Sequence, residues 1–309
     1  MRSLSPIRVL CCLLALLTAA PAPASAAPPP AAAARRAIWI WDSGVAVPPA
    51  ALVKTLRRER VGTVFFFAAP RRLRSTPELF SDFLAAAHAA GMTVQALNGE
   101  PQWVMPVGEE DARDFFAVIA AFNAAAPPGR RFDGIHLDVE PYTLDEWGPP
   151  SESEVPQRYL DFLRWSRNEA RKISLPLVVD VPMRFEDVTV AGAPLMAHAL
   201  ALADQVAIMS YEPGGDHVVQ RTAKLLRAPG SGTAKVWIGV SADPDHTKTA
   251  SRAVGRRRVE SACRSVEAIA HHNPRILGPA IHDYEFYSAL FAAASRRPDA
   301  SGAGTAAHP

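Results

Sequence analysis

The sequence predicts an α/β fold, a single (β/α)8 TIM barrel preceded by a secretory signal peptide. Three observations carry this. Eight short runs rich in β-branched and aromatic residues alternate with longer runs whose apolar residues recur at three and four. The short runs begin roughly 25 to 43 residues apart, the spacing of right-handed βαβ units. The repeating part fills about 260 residues, the usual extent of one such barrel.

Strands are expected at 37–41, 63–68, 93–97, 134–139, 177–181, 205–210, 235–240 and 277–281. Helical patterns at 77–90, 109–124 and 155–173 lie between them, and Ser75-Thr76-Pro77-Glu78 reads as a helix start. An open doubly wound sheet would also alternate, but it rarely needs eight strands and usually carries a glycine-rich phosphate loop. Here the first strand runs into Asp42-Ser43-Gly44 instead, so the closed barrel is preferred.

Ahead of the barrel, Arg2 and Arg8 flank an apolar run at 9–17, and Ala24-Ser25-Ala26 fits a small-x-small cleavage site. Residues 1–26 therefore read as an export signal, too short in its apolar part for the ~20 residues that span a bilayer. The expected product is secreted, extracellular or associated with the cell wall, with no membrane contact after cleavage. Residues 27–36 form an Ala/Pro-rich leader, 37–294 the catalytic barrel, and 295–309 a disordered tail. A formal charge of +2 does not select nucleic acid as a partner. Cys11 and Cys12 fall in the signal, leaving Cys263 alone, which excludes an internal disulfide and a Cys-based zinc site. Cys263 continues the apolar stripe of Val259, Val266 and Ala270, which places it in the core.

In a barrel the outer face of each strand meets helices and must be apolar, while the inner face fills the lumen and emerges at the C-terminal rim. Ile135, Leu137 and Val139 must face out, which turns His136, Asp138 and Glu140 inward. By the same parity Val179 and Val181 send Asp180 into the lumen, and Val236, Ile238 and Val240 leave Ser241 and Asp243 near the rim. Ionisable groups on an inner face are expensive to bury without a purpose. Other strand ends contribute at the same level: Asp42, Asn98, Glu100, Tyr211, Glu212 and Asp283.

The run Phe132-Asp133-Gly134-Ile135-His136-Leu137-Asp138-Val139-Glu140 resembles the strand-four signature of family-18 glycoside hydrolases, the chitinases and their relatives, Asp-Gly-x-Asp-x-Asp-x-Glu. Asp133, Gly134, Asp138 and Glu140 match, and His136 stands where the family has its middle aspartate. Met209-Ser210-Tyr211-Glu212, ending strand six, is similar to the family's Met-x-Tyr-Asp. The family's Ser-x-Gly-Gly on strand three is reduced to Leu97-Asn98-Gly99, and its strand-eight tryptophan is replaced by His282-Asp283-Tyr284. The resemblance implies a distant relative, a glycoside hydrolase with Glu140 as general acid. It also implies a substrate acetamido group as nucleophile, oriented by Asp138 and Tyr211.

The residues support that chemistry independently. Glycoside cleavage needs a proton for a poorly basic leaving oxygen and stabilisation of an oxocarbenium-like centre. Two inward carboxylates two residues apart resist double ionisation, so a proton is shared between them, and His136 one step deeper can hold Asp138 or adjust its charge. Without an acetamido group, a second carboxylate would have to serve, from Glu212, Asp180 or Asp283. Tyr142 and Trp147 after strand four, with Trp103 after strand three, offer rings for sugar stacking. The expected partner is thus a carbohydrate, contacted by Asp42, Asn98, Glu100, Tyr142, Trp147, Asp180, Glu212 and Asp283, with no cofactor and no metal. The basic stretch Lys248, Arg252 and Arg256-Arg257-Arg258 reads as a solvated loop before helix seven, with a rim position that would favour an anionic polysaccharide as the alternative. Two alternatives stay open: a metal-dependent hydrolase gathering His136, Asp138, Asp180 and His282, and a barrel that binds sugar without cleaving it.

Overall fold

The computed structural model describes residues 36–42, 46–149, 152–211, 215–227, 232–244 and 252–292. The expected signal, nearly all of the leader and the expected tail lie outside the described residues, as do Cys11, Cys12, Ser43, Gly44, Glu212 and Lys248.

Eight parallel strands form the barrel: β1 (Arg36–Ile40), β2 (Val61–Phe67), β3 (Thr93–Asn98), β4 (Gly134–Leu137), β5 (Leu177–Pro182), β6 (Gln205–Met209), β7 (Lys235–Ser241) and β8 (Ile276–His282). Each pairs with its sequence neighbours, and β1 closes the ring through Ala37 opposite Ala280 and Ile38 opposite Ile281. Every expected strand is present. β2 starts two residues early and ends one short, and β4 leaves the ladder after Leu137 rather than running to residue 139. Its next amide, Asp138 N–H, still donates to the Asn98 carbonyl at 3.1 Å. A Cβ at Gly99 would lie 2.2 Å from the Asp138 carbonyl oxygen, so only glycine lets β3 and β4 approach this closely.

The helices follow from equally local causes. Proline pre-sets the first turn of α1 (Pro49–Arg58), α2 (Pro70–Ser75) and α3 (Pro77–Ala89). Thr76 precedes α3 as expected, but its hydroxyl donates to the Arg72 carbonyl rather than capping the helix amides. Glu109, Glu110 and Asp111 place negative charge at the start of α4 (Glu109–Ala125). The ring is completed by α5 (Val155–Lys172), α6 (Leu195–Leu202), α7 (Gly215–Arg227), α8 (Arg252–Ala270) and α9 (Tyr284–Ala292). A short antiparallel pair, Thr189–Val190 with Ala193–Pro194, decorates the segment after β5.

Strand parity holds. Ile135, Leu137, Val139, Val179, Val181, Val236, Ile238 and Val240 pack into the apolar layer shared with the helices. The lumen has its own cluster, in which Trp39, Phe65, Leu97, Ala207, Trp237 and Ala280 meet. Cys263 sits fully buried between Val259 and Val266, and burial pushes its thiol up to about 12. At the opposite end from the β4 rim, buried Arg36 is held by Glu260 and Glu267, each at 2.9 Å. Arg256 lies 4.0 Å from Glu59 at the far end of α1, so it is directed away from the rim, against the rim alternative.

Candidate active site

The lumen beneath the rim is polar along one continuous line. Trp237 Nε1–H donates to Gln205 Oε1 at 2.8 Å, and Gln95 Nε2 reaches the same oxygen at 3.4 Å. Gln95 Oε1 lies 2.9 Å from His136 Nδ1. His136 Nε2 then faces Asp180 Oδ1 at 2.9 Å, out of hydrogen-bond alignment, while Asp180 Oδ2 accepts from Trp39 Nε1–H at 2.9 Å. An indole N–H can only donate, and this fixes the polarity of the line. Gln205 presents oxygen, Gln95 presents its NH2 to Gln205 and its oxygen to His136, and His136 carries its proton on Nδ1. Nε2 is left without a proton and faces the Asp180 carboxyl group.

The electrostatics agree with that polarity. Burial lowers His136 to about 3, so the imidazole is neutral. Burial raises Asp180 well above the usual carboxylate range, and Glu140 adds to the rise, against the Trp39 hydrogen bond. Burial also raises Asp138, reinforced by the charges of Asp180 and Glu140. Burial therefore favours the neutral form of the Asp180 carboxyl group, whose Oδ2 is bound by Trp39, and Asp138 is the next group above it.

Asp138 and Glu140 follow β4 at its C-terminal end. Asp138 Oδ1 is shielded from solvent and has no hydrogen-bond partner among the described residues. Glu140 is half-buried, and its Oε1 accepts a short hydrogen bond from the Tyr142 hydroxyl. Burial, then that hydrogen bond, raises the Tyr142 phenol far above its ordinary range. Tyr211 enters from the end of β6, its ring 5.1 Å from that of His282. Gly239 makes room for it, since a Cβ there would lie 3.3 Å from Tyr211 Cε1. Burial raises the Tyr211 phenol, and Asp180, Asp138 and Glu140 add to this, so it stands as a neutral donor.

The remaining expected site residues divide. Asp42 is exposed at the end of β1 and pairs with Arg72 at 2.9 Å. Glu100 is exposed beyond β3. Asn98 spends its side chain on the Ala68 carbonyl and the Gly99 amide. Asp283 accepts from the Phe286 amide at the start of α9. Trp147 stacks on Phe185 with ring centroids 5.9 Å apart. Trp103 is buried among Phe115 and Phe162 and offers no ring to the rim, against the expectation for it. Among the described residues, no three of His, Cys, Asp and Glu converge as metal ligands, so His136, Asp138, Asp180 and His282 do not form the set expected of a metallohydrolase.

The closed parallel barrel has the fold of solved structures of a family-18 chitinase and related glycoside hydrolases. The chain is similar to a family-18 chitinase from Pseudoalteromonas aurantia, with 11% identity, 84% of this chain and 98% of that one covered, and a TM-score of 0.56. It is also similar to the glycoside hydrolase domain of PgaB (BpsB) from Bordetella bronchiseptica, at 12% identity, 84% and 97% coverage and a TM-score of 0.52. For the spore cortex-lytic enzyme SleL of Bacillus megaterium the values are 10% identity, 85% and 75% coverage, and a TM-score of 0.51. The likeness is one of fold. The sequence matches no protein-family model, and no curated protein matches it by sequence.

Proposed function

We propose that this chain is a secreted glycoside hydrolase that cleaves an N-acetylhexosamine-containing polysaccharide or glycoconjugate with retention, using Glu140 as general acid. The observation that carries the reading is the solvent-shielded Asp138 Oδ1, an acceptor without a donor among the described residues, two residues from a carboxyl group held by a phenol. A buried acceptor left unmatched costs about 1–3 kcal/mol, which a donor arriving with the substrate would recover.

In this mechanism Glu140 Oε2–H protonates the glycosidic oxygen as the C1–O bond breaks. The carbonyl oxygen of the substrate's acetamido group closes onto C1. Asp138 accepts from the acetamido N–H and balances the positive charge of the resulting ring. Tyr211 O–H donates to the acetamido carbonyl oxygen. Water then attacks C1, returning its proton to Glu140 and releasing a product of unchanged anomeric configuration. The placements of two alternative carboxylate nucleophiles favour this route: Asp180 is buried beneath the site and bound by Trp39, and Asp283 serves the start of α9. Glu212 lies outside the described residues.

The test compares an N-acetylated chitooligosaccharide carrying a fluorogenic leaving group with its de-N-acetylated counterpart. Wild-type enzyme is expected to cleave only the acetylated form, and Asp138→Asn to lower kcat by about 10²-fold or more. Equal cleavage of both substrates would replace the acetamido nucleophile with a carboxylate.

A further inference from the structure

The short turn after β5 carries a cation that the mechanism above does not use. Arg184 is exposed on the same rim as Glu140, with its guanidinium carbon 3.8 Å from the centroid of the Tyr142 ring. Among the described residues no carboxylate lies within ion-pair distance of it. Glu186 in the same turn is already bound by Arg221, whose Nε lies 2.9 Å from Oε1. Asp42, across the rim, is paired with Arg72.

Geometry limits what such an arginine can do. Stacking on a ring uses the flat face of the guanidinium and leaves its N–H donors pointing outward along the edges. Those edges match a carboxylate, which takes two parallel N–H···O bonds from one fork. The supporting ring is the one whose hydroxyl donates to Glu140, so the fork is held one aromatic ring away from the proposed acid. Stacking also fixes the side chain before a ligand arrives, which reduces the ordering cost of binding.

We propose that Arg184 is a specificity-determining residue that selects glycans bearing a carboxylate on a sugar close to the scissile bond. The substrate class is then an acidic glycan in which N-acetylhexosamine neighbours a carboxylated sugar. This rests on the glycosidase reading above and adds the charge of the substrate to it.

The experiment uses a matched pair: oligosaccharides of alternating N-acetylglucosamine and glucuronic acid, and the same material after chemical reduction of its carboxylates to alcohols. Binding and hydrolysis are measured separately on the mature protein. Wild type is expected to bind the carboxylated form at least about tenfold more tightly, the scale of one charge-assisted hydrogen-bonded pair. Arg184→Gln should bring the ratio close to one, chiefly through Kd and KM for the carboxylated form. Arg184→Lys should retain part of the preference, and added salt should weaken it in wild type. A wild-type ratio near one overturns the proposal, and so does an unchanged ratio in Arg184→Gln. Preferential binding lost in that variant without hydrolysis by wild type upholds Arg184 and sinks the glycosidase reading instead.

Discussion

Replacing Asp180 separates a neutral buried acid from a buried charge. Asp180 holds the Trp39 N–H on one oxygen and faces His136 Nε2 with the other, each at 2.9 Å. Asp180→Asn supplies the same acceptor for Trp39 and an N–H for His136, so the variant imitates the protonated acid. Its stability should fall within about 1 kcal/mol of wild type. Asp180→Leu strands an indole N–H and an imidazole nitrogen, at about 1–3 kcal/mol each, or about 2–6 kcal/mol together. That is a large part of the roughly 5–15 kcal/mol that holds a domain folded. The two variants should also differ in pH dependence. The folded-state pKa of Asp180 is raised above 3.8, so its contribution is fully present below that value and is lost as pH rises through the raised one. Asn does not titrate, so Asp180→Asn should gain on wild type as the pH rises. Urea denaturation at about pH 5 and about pH 8 reads both effects. Equal destabilisation by Asn and Leu, or a widening deficit for Asn at the higher pH, would refute a neutral Asp180.

Two further outcomes follow from buried charge elsewhere. Arg36→Ala leaves Glu260 without its bidentate cation and Glu267 with Arg60 alone, and should cost about 3–5 kcal/mol in chemical denaturation; a loss under 1 kcal/mol would contradict the role given to Arg36. His136 is lowered from 6.5 to about 3 and Glu260 from 4.5 to about 2, so both stabilise the fold above their ordinary values and lose that contribution as pH falls towards the lowered ones. His136→Asn should therefore flatten the acid slope of stability by up to one proton, about 1.4 kcal/mol per pH unit, and an unchanged slope would show that His136 is not held neutral.

Strand parity made much of this legible before any coordinates. Apolar residues at 135, 137 and 139 force His136, Asp138 and Glu140 inward, and the valines of β5 do the same for Asp180. The identical rule applied to Trp39, Gln95, Gln205 and Trp237 would have found the rest of the polar line, since two glutamines on buried strands are as conspicuous as a histidine. What the line means was not legible, because its proton positions depend on which atoms meet across the lumen. The close approach of Asp138 to the chain just past β3 depends on Gly99, a contact without a local sequence signal. Arg184 was hidden for a similar reason: it lies in a turn outside any expected element, and its meaning comes from a ring 42 residues earlier in the chain. Trp103 shows the reverse error, in which an aromatic residue just past a strand end packs against α4 and α5 rather than the rim.

Glu140→Gln tests at one residue whether Glu140 delivers the proton that releases the leaving group. Glutamine keeps the shape and still accepts from Tyr142, but it cannot donate as a carboxylic acid does. The measurement is kcat for a glycoside with an alkyl leaving group beside the same glycoside with a nitrophenyl one. The account predicts a loss of at least ~10²–10⁴-fold on the alkyl glycoside, a markedly smaller loss on the nitrophenyl glycoside, and little change in sugar affinity. Equal losses on the two substrates would contradict the acid role of Glu140, and unchanged turnover would leave it no part in the chemistry.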